Sequence, residues 1–287
     1  MLKKIQQKWL AVKLITRMDK PIGTYLLLWP TYWALWIASD GWPNLHLLIV
    51  FSLGVFVMRS AGCVINDFAD RKIDGKVERT KNRPLVNGMM TSNEAINLFG
   101  LLIGIALGLV LTLSLTTIYL SVIAVFLAAL YPFMKRYTQL PQVFLGAAFS
   151  WGMIMAFSEA QGEIPYIAWL LFIANLTWTV AYDTMYAMVD RDDDVEIGVK
   201  STAILFANND KRIIGFLQLF TLTLLWVVGD ILAFGWPYQL SLLIAAAMFS
   251  YQQILIVNRE REACFQAFLH NHWVGLVIFV GIMVEYL

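Results

Sequence analysis

The sequence predicts an all-α membrane protein with about nine transmembrane helices. Hydrophobic residues make up 59% of its 287 residues and charged residues only 14%, with a mean hydropathy of +0.66. Soluble domains carry more charge, about 25% of their residues. The apolar residues fall in nine runs, most of them near the length of about 20 residues that crosses a bilayer as a helix. Helices are required there because lipid cannot satisfy open backbone groups.

The nine apolar runs occupy most of the chain. They cover residues 22–38, 46–66, 95–112, 116–133, 140–158, 164–186, 213–234, 237–256 and 273–286. The connections between them leave no room for a separate soluble domain. We therefore expect residues 1–287 to form a single integral-membrane domain.

Lys and Arg residues are confined to alternate connections, which tests the runs independently because charge was not used to choose them. Six precede the first run, and six, two, four and two lie in the links after the second, fourth, sixth and eighth runs. The other links have none, and Arg59, inside the second run, is the one exception. Because basic connections stay cytoplasmic, this predicts a multi-pass protein of a bacterial-type inner membrane, with its N-terminus inside and its C-terminus outside.

Residues 1–20 form a basic segment ahead of the first run. Its apolar residues recur at steps of three and four, as on one face of a helix. They are Leu2, Ile5, Trp9, Val12 and Ile15. The segment is either a helix on the cytoplasmic membrane surface or a stretch whose lysines only set the topology. It lacks the apolar core and cleavage site of a removable signal peptide.

Charge and cysteine content exclude several classes of function. The formal net charge is +1 and the Lys and Arg residues form no footprint of the kind that binds nucleic acid, so we expect no nucleic-acid partner. Cys63 and Cys264 are too few and too far apart for a disulfide framework or a metal-binding Cys pair. The chemistry must therefore come from other side chains.

Two connections on the predicted cytoplasmic face are rich in aspartate. Residues 66–75 follow the second run and residues 190–198 follow the sixth, and both contain the pattern Asp-Arg-x-x-Asp. Recurrence of one pattern at one face indicates two related halves of the bundle. The connections that carry the two patterns, 67–94 and 187–212, are candidate lids over this face.

The spacing of the acidic side chains predicts a metal site. If the helices continue beyond the membrane, Asn66, Asp70 and Asp74 share one helical face, as do Asp190 and Asp194. Two carboxylates about 4 Å apart repel by roughly 4 kcal/mol at an effective dielectric near 20, which a divalent cation would offset. Hard oxygen ligands favour Mg²⁺ or Mn²⁺ over zinc or copper. The alternative is that these are ordinary solvated charges.

Basic residues able to clamp phosphate surround the acidic patterns. They are Arg79, Arg83, Lys135, Arg136 and Lys200. Mg²⁺ commonly bridges carboxylates to substrate phosphates, and Lys and Arg bind phosphate through charge-assisted hydrogen bonds. Together the acids and bases indicate a diphosphate ligand.

Arg59 is the one basic residue inside a run. It lies seven residues before Asn66, or about 10.5 Å deeper along the same helix. A charged side chain at that depth is costly unless it faces the bundle interior and meets an anion. Two partners are possible: Asp183 as a structural partner, or the carboxylate of an aromatic acid held below the diphosphate.

The motif Asn66-Asp67-x-x-Asp70-x-x-x-Asp74, together with Asp190-x-x-x-Asp194, resembles the paired aspartate motifs of the UbiA-type intramembrane prenyltransferases. The segments 19–23, 58–63, 81–85 and 131–136 are also similar to that family, as are Tyr182, Asp183 and 200–202, so that the resemblance spans essentially the whole chain. It implies a bundle of nine transmembrane helices around a central cavity, capped by the two motif connections.

The resemblance also implies a reaction, and it is strongest to family members that prenylate 4-hydroxybenzoate in ubiquinone biosynthesis. Mg²⁺ would bind the diphosphate of a long polyprenyl diphosphate, and departure of diphosphate would give an allylic cation. The ring carbon ortho to the hydroxyl of 4-hydroxybenzoate would attack it, and either Asp190 or the released diphosphate would take the proton.

The resemblance assigns a role to each of the motif residues. The implied metal ligands are Asn66, Asp70, Asp190 and Asp194, supported by Asp67 and Asp74. The implied catalytic residues are Asp70, Asp190 and Asp194, and those at the aromatic substrate are Arg59, Tyr182 and Asp183. Two other functions stay open: a sibling prenyltransferase with another aromatic acceptor, and a membrane transporter. A transporter would favour acids near the bilayer midplane, whereas these acids crowd one surface.

Overall fold

The computed structural model describes the backbone of residues 2–287 and the side chains of residues 6–287. All regular structure within that part of the chain is helical. The α-helices are α1 (Leu2–Ile15), α2 (Ile22–Ala38), α3 (Leu45–Asp70), α4 (Ser92–Val110), α5 (Leu115–Tyr137), α6 (Pro141–Gln161), α7 (Tyr166–Val189), α8 (Arg191–Ile197), α9 (Thr202–Phe206), α10 (Asp210–Ile231), α11 (Trp236–Leu255) and α12 (Arg261–Glu285). The predicted all-α class is confirmed.

Each predicted apolar run coincides with a long helix, from α2 to α7 and from α10 to α12. By length and composition seven of them could cross a membrane, namely α3 to α6 and α10 to α12. Helix α2 has only 17 residues. Helix α7 carries three Thr, one Asn and one Asp, all of them buried in the protein. A helix surrounded by other helices can cross a membrane without being apolar on every side. The count of nine spans therefore stays a prediction.

Several predicted boundaries are wrong. Helix α12 begins at Arg261, whereas its apolar run was placed at 273–286. The polar residues between these points lower the hydropathy without ending the helix, because the buried Asn271 amide bonds to the Ala267 carbonyl of its own helix at 2.9 Å. The predicted connections 67–94 and 187–212 likewise contain helical residues, including all of α8 and α9.

Helix α7 lies at the centre of the bundle, packed against α6, α10 and α12. Its Trp178 stacks on Trp33 of α2, with ring centroids 5.4 Å apart. The indole nitrogen of Trp178 donates a hydrogen bond to Asn271 of α12 at 2.9 Å. Helices α4 and α5, by contrast, bury few side chains. Lipid-facing helices have this character, since lipid solvates apolar side chains as well as protein does.

The N-terminal helix α1 packs on the bundle through its second half. Ala11 and Ile15 are buried against Val64 and Ala95. Trp9 stays 60% exposed, as an interfacial side chain would be. The predicted apolar residues Leu2 and Ile5 lie outside the described side chains.

Candidate active site

The first aspartate motif lies at the end of α3. Asp67 and Asp70 are buried, each only 1% exposed. The α-helix ends at Asp70, and Asp74 lies one turn further on, in a short 3₁₀ helix. The predicted unbroken helical column of Asn66, Asp70 and Asp74 is therefore wrong. A turn in which the Ile73 amide bonds to the Asp70 carbonyl at 2.8 Å replaces the helix.

Each acid of the first motif is paired with a base. Arg83 bridges Asp67 and Asp74 at 3.0 and 2.8 Å. Lys135 at the end of α5 forms an ion pair with Asp70. Burial raises the pKa of Asp74 above its usual range, although the neighbouring Arg83 lowers it. The motif is thus a compact cluster of compensated charges.

The second motif begins where α7 meets α8. Asp190 joins the two helices, and Asp194 follows one turn later. Arg79, from the connection after α3, forms an ion pair with Asp190 and lies over the ring of Tyr186, 4.6 Å from its centroid. Burial, followed by the charge of Asp190, raises the pKa of Asp194 to about 7.

The two motifs meet at the same end of the bundle. Arg79 of the first connection binds Asp190 of the second. Lys135 pairs with Asp70 of the first motif, and its charge also acts on Asp194 of the second. Within residues 2–287, however, no group of three Asp, Glu, His or Cys side chains lies close enough to hold a metal ion. The carboxylates are paired with separate bases and do not converge on one point.

The remaining predicted phosphate ligands lie near the end of α5. Arg136 donates to the Ala69 carbonyl at 2.5 Å. Lys200 bonds through its ammonium to the Tyr137 carbonyl at 3.3 Å, and through its backbone amide to the Lys135 carbonyl at 3.1 Å. Both side chains thus contact backbone carbonyls, Arg136 at the first motif and Lys200 at the end of α5.

A cavity of about 970 Å³ extends from the motifs into the bundle. Asn66, Arg83 and Asp190 line its polar end, and side chains such as Val110 and Leu113 at the end of α4 line its apolar part. Val50 and Asp67 both line it and lie 17 residues apart on α3, which corresponds to about 25 Å. The cavity is therefore long, with charge at one end and hydrocarbon along the rest.

Arg59, Tyr182 and Asp183 all line this cavity. Arg59 donates through Nη1 to the Cys63 sulfur at 2.8 Å, and its buried Nε has no hydrogen-bond partner. Among the described side chains no carboxylate lies within 4.0 Å of the guanidinium, and Asp183 is near but unpaired with it. The Tyr182 hydroxyl is also buried without a partner.

The structure adds charged residues that the sequence reasoning missed. Arg17 binds both oxygens of Asp67 at 2.9 and 3.0 Å. Asp210 is fully buried and binds Arg259 at 2.7 Å and Arg191 at 3.4 Å. These arginines had been counted only as topology signals. A basic residue near a predicted acidic motif indicates that an ion pair can form there. Which acid it pairs with depends on the packing of distant helices.

Residues 27–275 of the chain match the UbiA prenyltransferase family. The chain belongs to this family. The predicted resemblance is confirmed, and the apolar helices of this UbiA-family chain make it an integral membrane protein.

The chain is similar to curated relatives over its full length. It is 86% identical, over 287 residues and 100% of both chains, to the 4-hydroxybenzoate octaprenyltransferase of Colwellia psychrerythraea. It is 57% identical, over 98% of this chain and 97% of the relative, to the enzyme of the same name from Citrobacter koseri.

Solved structures of UbiA homologues share the fold. An apo UbiA homologue from Aeropyrum pernix superimposes with a TM-score of 0.81 at 24% identity, over 92% of this chain and 98% of that one. A UbiA homologue from Archaeoglobus fulgidus bound to GPP and Mg²⁺ has a TM-score of 0.70 at 15% identity, over 95% and 99%. At identities this low, the structural similarity supports the fold only.

The donor atoms of the UbiA-family chain suit a divalent cation such as Mg²⁺. Asp70 Oδ1 is buried and has no hydrogen-bond partner, and an unpartnered buried carboxylate oxygen is costly. The other polar side chains of the motifs also carry hard oxygen atoms, the type that Mg²⁺ prefers. The site fits such an ion by chemistry.

Proposed function

We propose that the chain transfers a long polyprenyl chain from polyprenyl diphosphate to the carbon ortho to the hydroxyl of 4-hydroxybenzoate, releasing diphosphate, in ubiquinone biosynthesis. Similarity of 86% over the whole chain to a relative of that name supports the substrates. One observation of the site carries the proposal. Arg59, without a carboxylate partner in the described protein, lies in an apolar cavity below the acidic motifs.

The motif residues form the donor end of the site. Its metal ligands are Asn66, Asp70, Asp190 and Asp194, supported by Asp67 and Asp74. Mg²⁺, when bound there, neutralises the charge that develops on the leaving diphosphate. Asp70, Asp190 and Asp194 are the catalytic residues because they hold the cation that neutralises this charge.

The bases of the site have two possible partners. Arg79, Arg83 and Lys135 now bind the motif carboxylates. With the carboxylates held by a cation, the same bases would be available to the phosphate oxygens, which bind Lys and Arg through charge-assisted hydrogen bonds. Arg136 and Lys200 complete the set from the end of α5. Donor and cation therefore assist each other in binding.

The acceptor end is formed by Arg59, Tyr182 and Asp183. A guanidinium matches a carboxylate in geometry and charge, and the Arg59 side chain lines the cavity. The depth of Arg59, about 10.5 Å below Asn66 along α3, leaves space for one aromatic ring between the carboxylate and the donor. This favours a carboxylated acceptor over one that lacks an acid group.

The apolar part of the cavity receives the prenyl tail. Each CH₂ group moved out of water contributes about 0.8 kcal/mol, so a long tail belongs in the membrane. Exclusion of water from the cavity also protects the carbocation from hydrolysis. The proton lost from the ring passes to Asp190 or to the released diphosphate.

We place the chain in a bacterial-type inner membrane, with its N-terminus and active site at the cytoplasmic face. The alternation of basic connections supports this orientation. Both proposed substrates carry charged groups that reach the site from water, while the tail stays in lipid. A site at the cytoplasmic rim of the bundle suits both.

The proposal is tested with the purified chain in proteoliposomes containing Mg²⁺, a polyprenyl diphosphate and 4-hydroxybenzoate. We expect 3-polyprenyl-4-hydroxybenzoate as product, detected by mass spectrometry. Formation of a prenylated product from another aromatic, and none from 4-hydroxybenzoate, would replace the acceptor. No transfer to any aromatic would remove the enzymatic proposal.

The role of Arg59 has its own test. Arg59→Ala should raise the KM for 4-hydroxybenzoate by about tenfold or more while leaving the KM for the prenyl diphosphate near its original value, because a charge-assisted hydrogen bond contributes about 1.5–3 kcal/mol. Arg212→Ala, which removes an exposed arginine from the same face of the bundle, is the matched control. Equal changes in both KM values would favour a structural role for Arg59.

A further inference from the structure

Gly23, in the first turn of α2, lies directly beside the Arg59 guanidinium. A Cβ atom added to Gly23 would lie 2.6 Å from Arg59 Cζ and nearer still to Nε and Nη2. Cβ atoms do not approach other heavy atoms so closely. Only hydrogen fits at this position while the guanidinium keeps its place.

The clash is specific to one edge of the guanidinium. The added carbon would be almost equally close to Nε and Nη2 and further from Cζ, which puts it between the two nitrogens. Gly23 therefore lies against the Nε–Nη2 edge, and a carboxylate must approach the guanidinium from another side. At the other side Nη1 donates to the Cys63 sulfur at 2.8 Å. Gly23 and Cys63 therefore limit the position of the guanidinium from opposite sides.

Other glycines of the cavity do not behave in this way. A Cβ atom on Gly54 or Gly62 of α3 would meet nothing within 4 Å, although both residues line the same cavity. The neighbour at Gly23 is the far end of a flexible side chain and not backbone. An alanine there would push the guanidinium aside and leave the helix packing intact.

We propose that Gly23 is a positioning residue for the aromatic acceptor, because its missing side chain gives the Arg59 guanidinium the space in which it meets the acceptor's carboxylate. This inference rests on the proposed function. It assigns the choice of a carboxylated acceptor to two residues on different helices, Gly23 on α2 and Arg59 on α3, rather than to the arginine alone.

The test is Gly23→Ala in the full chain in proteoliposomes. We expect the KM for 4-hydroxybenzoate to rise roughly tenfold, as when one charge-assisted hydrogen bond is weakened, with the KM for the prenyl diphosphate unchanged. Gly104→Ala is the matched control, since Gly104 lies on α4 with nothing within 4 Å of an added Cβ and outside the cavity lining. Alanine favours a helix over glycine, so both variants should fold, and thermal unfolding checks this.

A double-mutant cycle separates positioning from packing. In an Arg59→Ala background, Gly23→Ala should have no further effect on the KM for 4-hydroxybenzoate, because the two residues act through one contact. A full effect of Gly23→Ala in that background would overturn the inference, as would equal rises in both KM values.

The outcomes also separate this inference from the proposed function. If the original chain prenylates 4-hydroxybenzoate and Gly23→Ala matches Gly104→Ala, the inference alone fails. If the original chain neither prenylates nor binds 4-hydroxybenzoate, measured by isothermal titration, both fail. Binding of the acid that Gly23→Ala weakens and Gly104→Ala does not would support the inference even without turnover.

Discussion

The two aspartate motifs share the pattern Asp-Arg-x-x-Asp but differ in environment. In the first motif Asp67, Asp70 and Asp74 are buried, and each has an ion pair with a base. In the second motif Asp190 depends on Arg79, which comes from the other half of the chain, and Asp194 has no ion pair among the described residues. The first motif is compensated by bases from its own half of the chain, whereas Asp190 of the second motif is compensated by a base from the other half.

This difference gives the two motifs different physical properties. The buried acids of the first motif stay paired with their bases unless another cation replaces those bases, because separating them would leave charge uncompensated in a poorly solvated place. The second motif retains an acid, Asp194, whose pKa of about 7 leaves it partly protonated near neutral pH. The second motif therefore contains an acid whose charge changes near neutral pH.

The largest expected effect concerns the first motif. Asp70→Asn should lower turnover by about 100- to 1000-fold, the size seen when one group that stabilises transition-state charge is removed. Product formation in proteoliposomes measures it, with thermal unfolding to show that the protein remains folded.

Asp193→Asn is the matched control for Asp70→Asn. Asp193 lies in the second connection and pairs at 3.0 Å with Arg261, whose side chain is 46% exposed. Exposed ion pairs contribute only about 0–1 kcal/mol, so turnover should change less than about fivefold. If Asp70→Asn and Asp193→Asn had equal effects, burial and pairing would not distinguish the two acids.

An intermediate effect is expected from removing Arg79, which joins the first half of the chain to Asp190 in the second. Arg79→Ala removes the base that pairs with Asp190 and lies over Tyr186. The KM for the prenyl diphosphate should rise about tenfold, equivalent to about 1.4 kcal/mol, and Arg79→Lys should restore part of it. Lys81→Ala, which breaks only a pair with Glu78 at the surface, is the control. An unchanged KM in Arg79→Ala would show that the halves are not joined through this base.

The last expected effect is a pH dependence of cation binding. Because burial and Asp190 raise the pKa of Asp194 to about 7, a cation must displace a proton from Asp194 below that pH. Affinity should therefore fall as pH drops, approaching about tenfold per unit well below pH 7, and level off above it. Titration with Mg²⁺ or Mn²⁺ between pH 6 and 8 measures this. A profile of the same slope in Asp194→Asn would assign the proton to another group.

The span pattern and the acidic motifs were predictable because they are local. The apolar runs coincide with long helices from α2 to α12 since a run of that length must be helical in lipid. The motif residues and most nearby bases were predictable for the same reason, because residue type and spacing indicate their chemistry. The boundaries were less predictable: Asp74 follows a turn and α12 begins at Arg261, because hydropathy does not report where a helix ends.

The sequence by itself determined the all-helical class, the two acidic motifs and the presence of an arginine inside an apolar run. Only the tertiary structure decided which charge meets which: Arg17 with Asp67, Arg79 with Asp190 across 111 positions, and the guanidinium of Arg59 beside Gly23. Periodicity and composition act over a few turns of one helix. Ion pairs and close approaches between helices depend on how the whole bundle packs.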